Sequence, residues 1–211
     1  VTLTDAGTPV LSMTAAQAVA GLLALSKIGS SHTIALTDGG TPTLVLKPWQ
    51  ITGSLLTELA RITSPFTFSI SGPLSAFQAP TLTASSLLTK LTGAVSFIDF
   101  SNNFSNNQAA NLPAIQTLYA GGHNGTIQFL DGAARLQLTT AELAANPTAI
   151  AAITSPYLLA DVIGAASVKT TAAPFVSGSA TFDTLAVQDS VAKVIANLDD
   201  LEAAAVNGKL T

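Results

Sequence analysis

Three aspartates recur at one position of a strand-and-turn pattern and are the most regular chemical feature of the sequence. Asp5 and Asp38 lie 33 residues apart, and Asp131 follows the apolar run of a later copy. The simpler interpretation is that each carboxylate closes its own turn by accepting hydrogen bonds from the amides beyond it. The alternative is a calcium-binding edge, because like charges about 5 Å apart on stacked strands are costly unless a cation neutralises them. Only the first two belong to neighbouring copies, which weakens the calcium interpretation.

Two histidines and two strand aspartates are the remaining candidates for catalysis or zinc binding. His32 precedes a predicted strand and His123 lies in a Gly-Asn loop, without the spacing of a zinc motif, so both are interpreted as polar loop residues. Asp99 and Asp161 interrupt apolar strands, and two stacking steps would separate their carboxyl groups by roughly 10 Å. That distance is marginal for the carboxylate pair of a glycosidase. We therefore interpret both as strand-edge or turn residues.

Aromatic residues are few and lie mostly in the middle of the chain. Core packing accounts for most of them. Trp49 is different, because it follows Pro48 at the start of a predicted helix, where partial exposure and stacking on a sugar are both feasible.

The sequence carries little charge for its hydrophobicity. Charged residues make up 9% and hydrophobic residues 48% of the chain, with a net charge of −4. The basic residues are scattered, so nucleic acid is not an expected partner. The longest apolar run, residues 18–25, is shorter than the roughly 20 residues that span a bilayer, so membrane insertion is not expected. The absence of cysteine excludes disulfides, thiolate metal sites and a cysteine nucleophile.

The sequence also repeats itself. Residues 1–17, VTLTDAGTPVLSMTAAQ, match residues 34–50, IALTDGGTPTLVLKPWQ, and further copies follow at SLLTKL from Ser86 and at IQFLDGAARLQLTTAEL from Ile127. Copies at a fixed spacing of about 30 residues are typical of repeat architectures. We predict one repeat-array domain, residues 1–211, with approximate units 1–32, 33–65, 66–93, 94–125, 126–156 and 157–211.

Each unit shows the same order of local signals. An alternating strand such as 33–37 ends in an Asp turn, a second extended segment such as 43–46 follows, and a helix begins. Capping boxes mark two helix starts, Thr14 with Gln17 and Thr139 with Glu142. A final helix after Ser190 is predicted to bury one apolar face, formed by Val191, Val194, Ile195, Leu198 and Leu201. The predicted fold class is α/β, an elongated solenoid of about six strand-turn-strand-helix repeats with parallel strand ladders. The alternative is a row of ββα units with hairpins at the Asp turns.

The two ends of the chain carry a resemblance. Residues 187–211, VQDSVAKVIANLDDLEAAAVNGKLT, followed by residues 1–17 resemble the tandem repeats of giant exported proteobacterial surface and biofilm-associated proteins of the hemolysin, RTX-like type. The resemblance implies export, a structural or adhesive role and a chain that is a fragment of a longer protein. It supplies no catalytic residues. The calcium-binding nonapeptide of such proteins is missing, because GGHNG at 121–125 lacks the required aspartate.

The sequence thus predicts a non-catalytic structural or adhesive segment, a stalk or matrix element, of a large secreted or cell-surface bacterial protein. No cofactor is expected, with calcium as the possible exception, and the expected partners are neighbouring repeats, surface glycan or matrix. A glycan- or protein-binding module is the first alternative, which an exposed aromatic patch would favour. A polysaccharide-active enzyme is the second, which a cleft with paired carboxylates would favour.

Overall fold

The structure is a computed structural model that describes residues 2–4, 7–131, 134–163, 176–177, 180–206 and 210. The chain divides into two compact units. Unit 1 comprises Val1–Phe97 and Thr117–Gly125, and unit 2 comprises Ile98–Gln116 and Thr126–Thr211. This division does not test the six repeat boundaries, which stay a prediction.

The secondary structure of the described residues consists of short elements. The strands are β1 (Val10–Met13), β2 (Thr33–Leu36), β3 (Thr43–Leu46), β4 (Thr67–Ile70), β5 (Val95–Asp99), β6 (Asn124–Phe129), β7 (Ala134–Leu138), β8 (Tyr157–Ile163), β9 (Val176–Ser177) and β10 (Ala180–Val187). The helices are α1 (Ala15–Leu25), α2 (Gly53–Leu59), α3 (Gln78–Thr83), α4 (Ser101–Asn106), α5 (Gln108–Ala120), α6 (Thr140–Ala145), α7 (Pro147–Ala151), α8 (Val191–Ala196) and α9 (Leu198–Val206). Pro48–Gln50 and Leu88–Lys90 form 3-10 turns. No helix in the described part of the chain is long and apolar enough to cross a membrane.

The strands pair in separate small sheets, and this corrects the predicted fold. β1 pairs with β2 and β3 with β4, both in parallel, while β5 and β6 form a third two-stranded sheet. The fourth sheet has the order β7-β8-β10-β9, with its last pair antiparallel. The predicted elongated solenoid with long parallel ladders is therefore wrong. The paired runs β1-β2 and β3-β4 each end after four residues. Among the described residues, pairing outside the four sheets is limited to isolated parallel bridges, such as Ile34 with Ile62.

The hairpin alternative is also wrong for the strands that the structure describes. β2 and β3 flank Asp38, and β6 and β7 flank Asp131, yet the two strands of each pair belong to different sheets. Each strand hydrogen-bonds to a segment elsewhere in the chain instead of to its neighbour across the turn. At the first turn, Gly40 adopts a φ of 72°, a left-handed conformation that glycine takes without steric strain.

Unit 1 is built on a leucine- and phenylalanine-rich core. The capping box of Thr14 and Gln17 starts α1 as predicted, and the helix buries Ala18, Leu22 and Leu25 along one face. In α2 the hydroxyl of Thr52 accepts the amide of Leu55. Other fully buried large side chains of this unit include Ile34, Leu44, Leu46, Ile51, Leu59, Phe68, Leu74, Leu82, Phe97 and Leu118.

Unit 2 contains a second buried core. The rings of Phe104 and Phe129 meet edge to face, with centroids 5.4 Å apart and an interplanar angle of 79°. Leu112, Ile115, Ile127, Leu136 and Leu138 are each 0% exposed. The capping box of Thr139 and Glu142 starts α6, which confirms that prediction.

The last predicted helix is two helices, interrupted at Asn197. The side-chain amide of Asn197 donates to the carbonyl of Lys193 at 2.8 Å, which closes α8 before α9 begins. The expected buried face does not form as one stripe. Leu201 packs with Val187, Val194, Ala204 and Leu210, whereas Val191, Ile195 and Leu198 are exposed. The sequence also predicts that this helix ends at Gly208, because glycine favours the position after the last helical turn; Gly208 lies outside the described residues.

Candidate functional site

Asp38 contacts the helix start of an earlier segment, not its own turn. Its Oδ2 accepts the amide of Ala15, the first residue of α1 and 23 residues earlier in the chain. Within the same helix start, the Thr14 hydroxyl accepts the Gln17 amide at 3.2 Å, and Gln17 Oε1 accepts the Thr14 amide at 2.9 Å. A carboxylate at a helix N-terminus satisfies an orphan donor and interacts favourably with the helix dipole. The interpretation that Asp38 bonds the amides of its own turn is corrected accordingly.

Asp131 makes the corresponding contact in unit 2. Both of its carboxylate oxygens lie 3.1 Å from the Ser101 amide, which begins α4, and Oδ2 accepts the Ser101 hydroxyl at 2.5 Å. The partner again precedes it, here by 30 residues. The hydrogen bond from the Ser101 hydroxyl lowers the pKa of Asp131. Partial desolvation opposes this shift, and the hydrogen bond from the Ser101 amide adds to it. A shared position in the sequence repeat therefore has a shared role, which is to cap an earlier helix.

The calcium hypothesis gains no support from these contacts. Asp5 lies outside the described residues, and Asp38 and Asp131 belong to different compact units. In the described part of the chain no group of three or more histidine, aspartate or glutamate residues could hold a metal ion. Because Ca²⁺ takes six to eight oxygen ligands, a calcium edge stays a prediction that depends on Asp5.

Gln50, a residue that also recurs in the repeat, joins two segments of unit 1. Its Oε1 accepts the Lys47 amide at 2.9 Å and so closes its own turn. Its Nε2 donates to the carbonyl of Val19 in α1, 31 residues earlier, at 2.9 Å. The side chain is only 2% exposed, so both halves of the amide are used inside the protein.

Gln78 repeats this arrangement in the next segment. Its Oε1 accepts the Ser75 amide at 3.0 Å, and its Nε2 donates to the carbonyls of Pro48 at 2.6 Å and Ile51 at 3.2 Å. The latter two residues flank Trp49 and Gln50. Each buried glutamine therefore ties the start of its own helical segment to the backbone of the preceding one.

A hydroxyl clasp, which we name the first clasp, holds two further parts of unit 1 together. The Ile34 amide donates to the Arg61 carbonyl at 3.0 Å, and the Thr63 amide donates to the Ile34 carbonyl at 2.9 Å. The Thr63 hydroxyl donates to the same carbonyl at 3.1 Å. The Leu36 amide donates to the Ser64 hydroxyl at 2.8 Å. The stretch Ile62-Thr63-Ser64, with the preceding Arg61 carbonyl, thereby satisfies backbone groups of Ile34 and Leu36 within β2.

Unit 2 contains the same arrangement, the second clasp. The Ile127 amide donates to the Ala152 carbonyl and the Thr154 amide to the Ile127 carbonyl, both at 2.9 Å. The Thr154 hydroxyl donates to the Ile127 carbonyl at 3.2 Å, and the Phe129 amide donates to the Ser155 hydroxyl at 2.7 Å. The sequence signal was present in both units as the string I-T-S-P, at 62–65 and 153–156. The sequence analysis missed it.

His32 lies directly before β2, as the sequence predicts, and its side chain is a buried member of an ionic cluster. Its side chain is 0% exposed, and its Nε2 lies 2.6 Å from Oε1 of Glu58. Nδ1 lies 2.9 Å from the Ser30 carbonyl oxygen. Arg61 completes the cluster, since its Nε lies 3.2 Å from Glu58 Oε2 and one terminal nitrogen donates to the His32 carbonyl at 3.1 Å. Both ring nitrogens face acceptors, so the ring and the carboxyl group hold a proton between them.

No family, curated protein or solved structure matches this chain.

The other sequence candidates are not brought together. His123 contacts the Gly93 carbonyl at 3.1 Å through Nδ1 and shares no partner with His32. Asp99 is 6% exposed at the end of β5, where it accepts the Phe100 amide and the side-chain amide of Asn103. The backbone of Asp161 lies in β8, which belongs to a different sheet from β5. The stacked carboxylate pair considered for a glycosidase does not form by strand pairing.

Trp49 and Phe77 are the exposed aromatic residues of interest. Trp49 is 54% exposed in the 3-10 turn before α2, and Phe77 is 65% exposed at the cap position of α3. They occupy equivalent places, because each directly precedes one of the two buried glutamines. Sequence analysis singled out Trp49 alone, although the equivalence of Gln50 and Gln78 would have revealed its counterpart.

Proposed function

We propose that this chain is a non-catalytic structural segment of a large secreted or cell-surface bacterial protein. The observation that carries the proposal is the use of its recurring polar residues. Asp38 and Asp131 each cap a helix that begins 23 or 30 residues earlier. In an enzyme, catalytic carboxylates gather in a cleft with substrate access, whereas Asp38 and Asp131 are engaged by backbone amides.

Two further features support a structural role. Gln50 and Gln78 are buried and hydrogen-bonded through both ends of the amide, to their own turn and to the preceding segment. The clasps add the same kind of connection through Thr63, Ser64, Thr154 and Ser155. The recurring side chains thus stabilise joins between segments that are distant in the chain, which is what a scaffold requires.

Export is supported by the sequence alone. The two ends of the chain resemble repeats of exported surface proteins, and uncharged Ser, Thr, Asn and Gln provide much of the polar surface in a chain with 9% charged residues. An antibody raised against this chain should label intact, unpermeabilised cells or the culture medium. Labelling that requires permeabilisation would contradict export while leaving the structural role open to its own test.

Mechanical unfolding of the full chain, held at its two ends, tests the structural role. We expect a resolvable resistance to extension that falls in Asp38→Ala and in Gln78→Ala, because each removes a join between distant segments. Asp199→Ala and Gln128→Ala are matched controls, since both side chains are exposed, and they should leave the unfolding force unchanged. If the control variants lower the unfolding force as much as Asp38→Ala and Gln78→Ala do, the proposal is contradicted. Hydrolysis of a polysaccharide by the chain would also contradict it.

A further inference from the structure

Two recurring turns of the chain carry a dipeptide that can react with itself. Asp38 is followed by Gly39, and Asp131 is followed by Gly132. At an Asp-Gly bond the amide nitrogen of the glycine can attack the side-chain carboxyl carbon, because glycine has no side chain to obstruct the approach. Water leaves as a succinimide ring closes, and water then opens the ring to aspartate or isoaspartate. The net reaction is an isomerisation that needs no enzyme, oxidant or cofactor.

The structure holds the carboxyl group of Asp38 away from this reaction. Its Oδ2 accepts the amide of Ala15, and within the described part of the chain the carboxylate accepts no hydrogen bond from the amide of Gly39. Gly39 is exposed, and a Cβ at this position would meet open space, so packing around the glycine does not prevent ring closure. The hydrogen bond to Ala15 is therefore the contact that keeps the carboxyl carbon from the Gly39 nitrogen.

A third pair of strands shows that the aspartate accompanies an amide that it can cap. Ala15 and Asp38 each lie two residues beyond the ends of the paired strands β1 and β2. After the paired strands β3 and β4, the same two places are taken by Pro48 and Gly72. Proline has no N–H to donate, and here the aspartate is absent. The contact with the earlier segment, and not the turn itself, thus explains the aspartate.

Asp131 is held more firmly than Asp38. Both of its oxygens lie 3.1 Å from the Ser101 amide, and Oδ2 also accepts the Ser101 hydroxyl at 2.5 Å. The hydroxyl lowers the pKa of Asp131 and so favours the carboxylate anion. Ring closure proceeds from the protonated carboxyl group, because hydroxide is a far better leaving group than an oxide ion. In the folded protein Asp131 should therefore isomerise more slowly than Asp38.

We propose that Asp38 and Gly39 form a site of isoaspartate modification that the hydrogen bond to Ala15 protects, so that the site reacts only in molecules in which this join has opened. Isoaspartate adds one methylene group to the backbone and removes it from the arm that carries the carboxylate. The carboxylate then no longer reaches the Ala15 amide, and the opening becomes permanent. This modification requires neither export nor the structural role proposed above.

Peptide mapping by mass spectrometry, after prolonged incubation at neutral pH and physiological temperature, measures isoaspartate at each position. In the folded full chain the rate at Asp38 should be lower by about tenfold or more than in the chain unfolded in guanidinium chloride, the protection that a hydrogen bond to a charged group provides. Ala15→Pro removes the N–H, and Pro48 shows that the fold accommodates proline at this place. This variant should raise the rate at Asp38 by about tenfold and leave the rate at Asp131 unchanged.

Gly39→Ala is the control for the chemistry, because the added Cβ meets open space in the fold but obstructs the attacking nitrogen. Combined with Ala15→Pro, it should suppress the isoaspartate. Ser101→Ala repeats the test without a proline and should raise the rate at Asp131 alone. Unaltered circular dichroism should show that each variant is folded. The proposal is overturned if the folded and unfolded chains react equally fast at Asp38, if Ala15→Pro leaves that rate unchanged, or if it raises the rates at both aspartates alike.

Discussion

The first and second clasps share their hydrogen bonds but differ in what surrounds them. In unit 1 the clasp at Ile34 is accompanied by the ionic cluster of buried His32 and Glu58 with partly exposed Arg61. At the corresponding sequence positions beside the second clasp, Ala149 and Ala152 of unit 2 stand in place of Glu58 and Arg61, and Gly125, the last residue of that part of unit 1, stands in place of His32. The amide-to-carbonyl distances of the two clasps nevertheless agree within 0.1 Å, at 2.9–3.0 Å.

This comparison distinguishes the residues that determine the backbone geometry of a clasp from the residues that only lie beside it. The clasp forms the same geometry with alanine as with an ion pair beside it, so the ionic cluster does not determine the backbone. At Gly125 there is also no room for a side chain, because a Cβ would lie 2.2 Å from the Val95 carbonyl oxygen. The Val95 carbonyl of β5 therefore occupies the space that a side chain at position 125 would take.

The largest effect is expected from removing one member of the ionic cluster. Glu58→Ala should lower the free energy of unfolding by about 3 to 5 kcal/mol, because it leaves the buried His32 without its partner. Chemical denaturation measures this, with exposed Glu202→Ala as the control. His32→Leu combined with Glu58→Leu should be more stable than Glu58→Leu alone, as the apolar second clasp suggests. The opposite order would mean that the two clasps are not equivalent.

A methyl group at position 125 tests the close packing of Gly125 against the Val95 carbonyl. Gly125→Ala should lower the free energy of unfolding by about 1 to 3 kcal/mol, because the added Cβ overlaps the Val95 carbonyl and the backbone must shift. Gly39→Ala, where the added Cβ meets open space, is the matched control and should change stability little. Comparable losses in the two variants would contradict the packing described for β5 and β6.

The hydroxyls of the two clasps should matter equally. Ser64→Ala and Ser155→Ala each leave a backbone amide, that of Leu36 or Phe129, without its acceptor. Each should cost about 1 to 2 kcal/mol, the usual penalty for an unsatisfied donor. Denaturation curves measured in parallel give the loss of unfolding free energy for each variant. If the two losses differ by more than the smaller loss, the ionic cluster alters the first clasp.

The smallest effect concerns the charge of Asp131. Its pKa is lowered in the folded protein, so it stabilises the fold above its ordinary pKa of 3.8, and this contribution is lost as the pH falls through the lowered value. Asp131→Asn should therefore flatten the decline of stability in the acid range and leave the neutral range less stable. Identical acid-range slopes for the two proteins, measured by denaturation at a series of pH values, would exclude this contribution.

The sequence was sufficient for local structure and insufficient for pairing. The capping boxes of Thr14 and Thr139 and the bounds of β3 were predictable, because they depend on residues close in the chain. The long ladders were not a safe inference, since a repeated string does not specify how far a sheet continues beyond four paired residues.

The roles of the polar residues were missed for a similar reason. The Asp38 carboxylate accepts the amide of Ala15, 23 residues earlier in the chain. No rule based on neighbouring residues predicts this amide in preference to those of the turn that contains Asp38. Glu58 gave a signal that could have been used, because it lies among the buried Leu55, Leu56 and Leu59 of α2. A carboxylate on a leucine face requires a buried partner.

The central claim is that the recurring aspartates cap earlier helices. The most direct test is to follow the amide proton shifts of Ala15 and Ser101 by NMR as the pH is lowered through the carboxyl range. Each should move with the titration of Asp38 and Asp131 respectively, and the movement at Ala15 should vanish in Asp38→Ala while that at Ser101 remains. If the amides whose shifts follow the carboxylate are instead those of Gly39 and Gly40, the Asp38 carboxylate closes its own turn, and the claim that it caps α1 is contradicted.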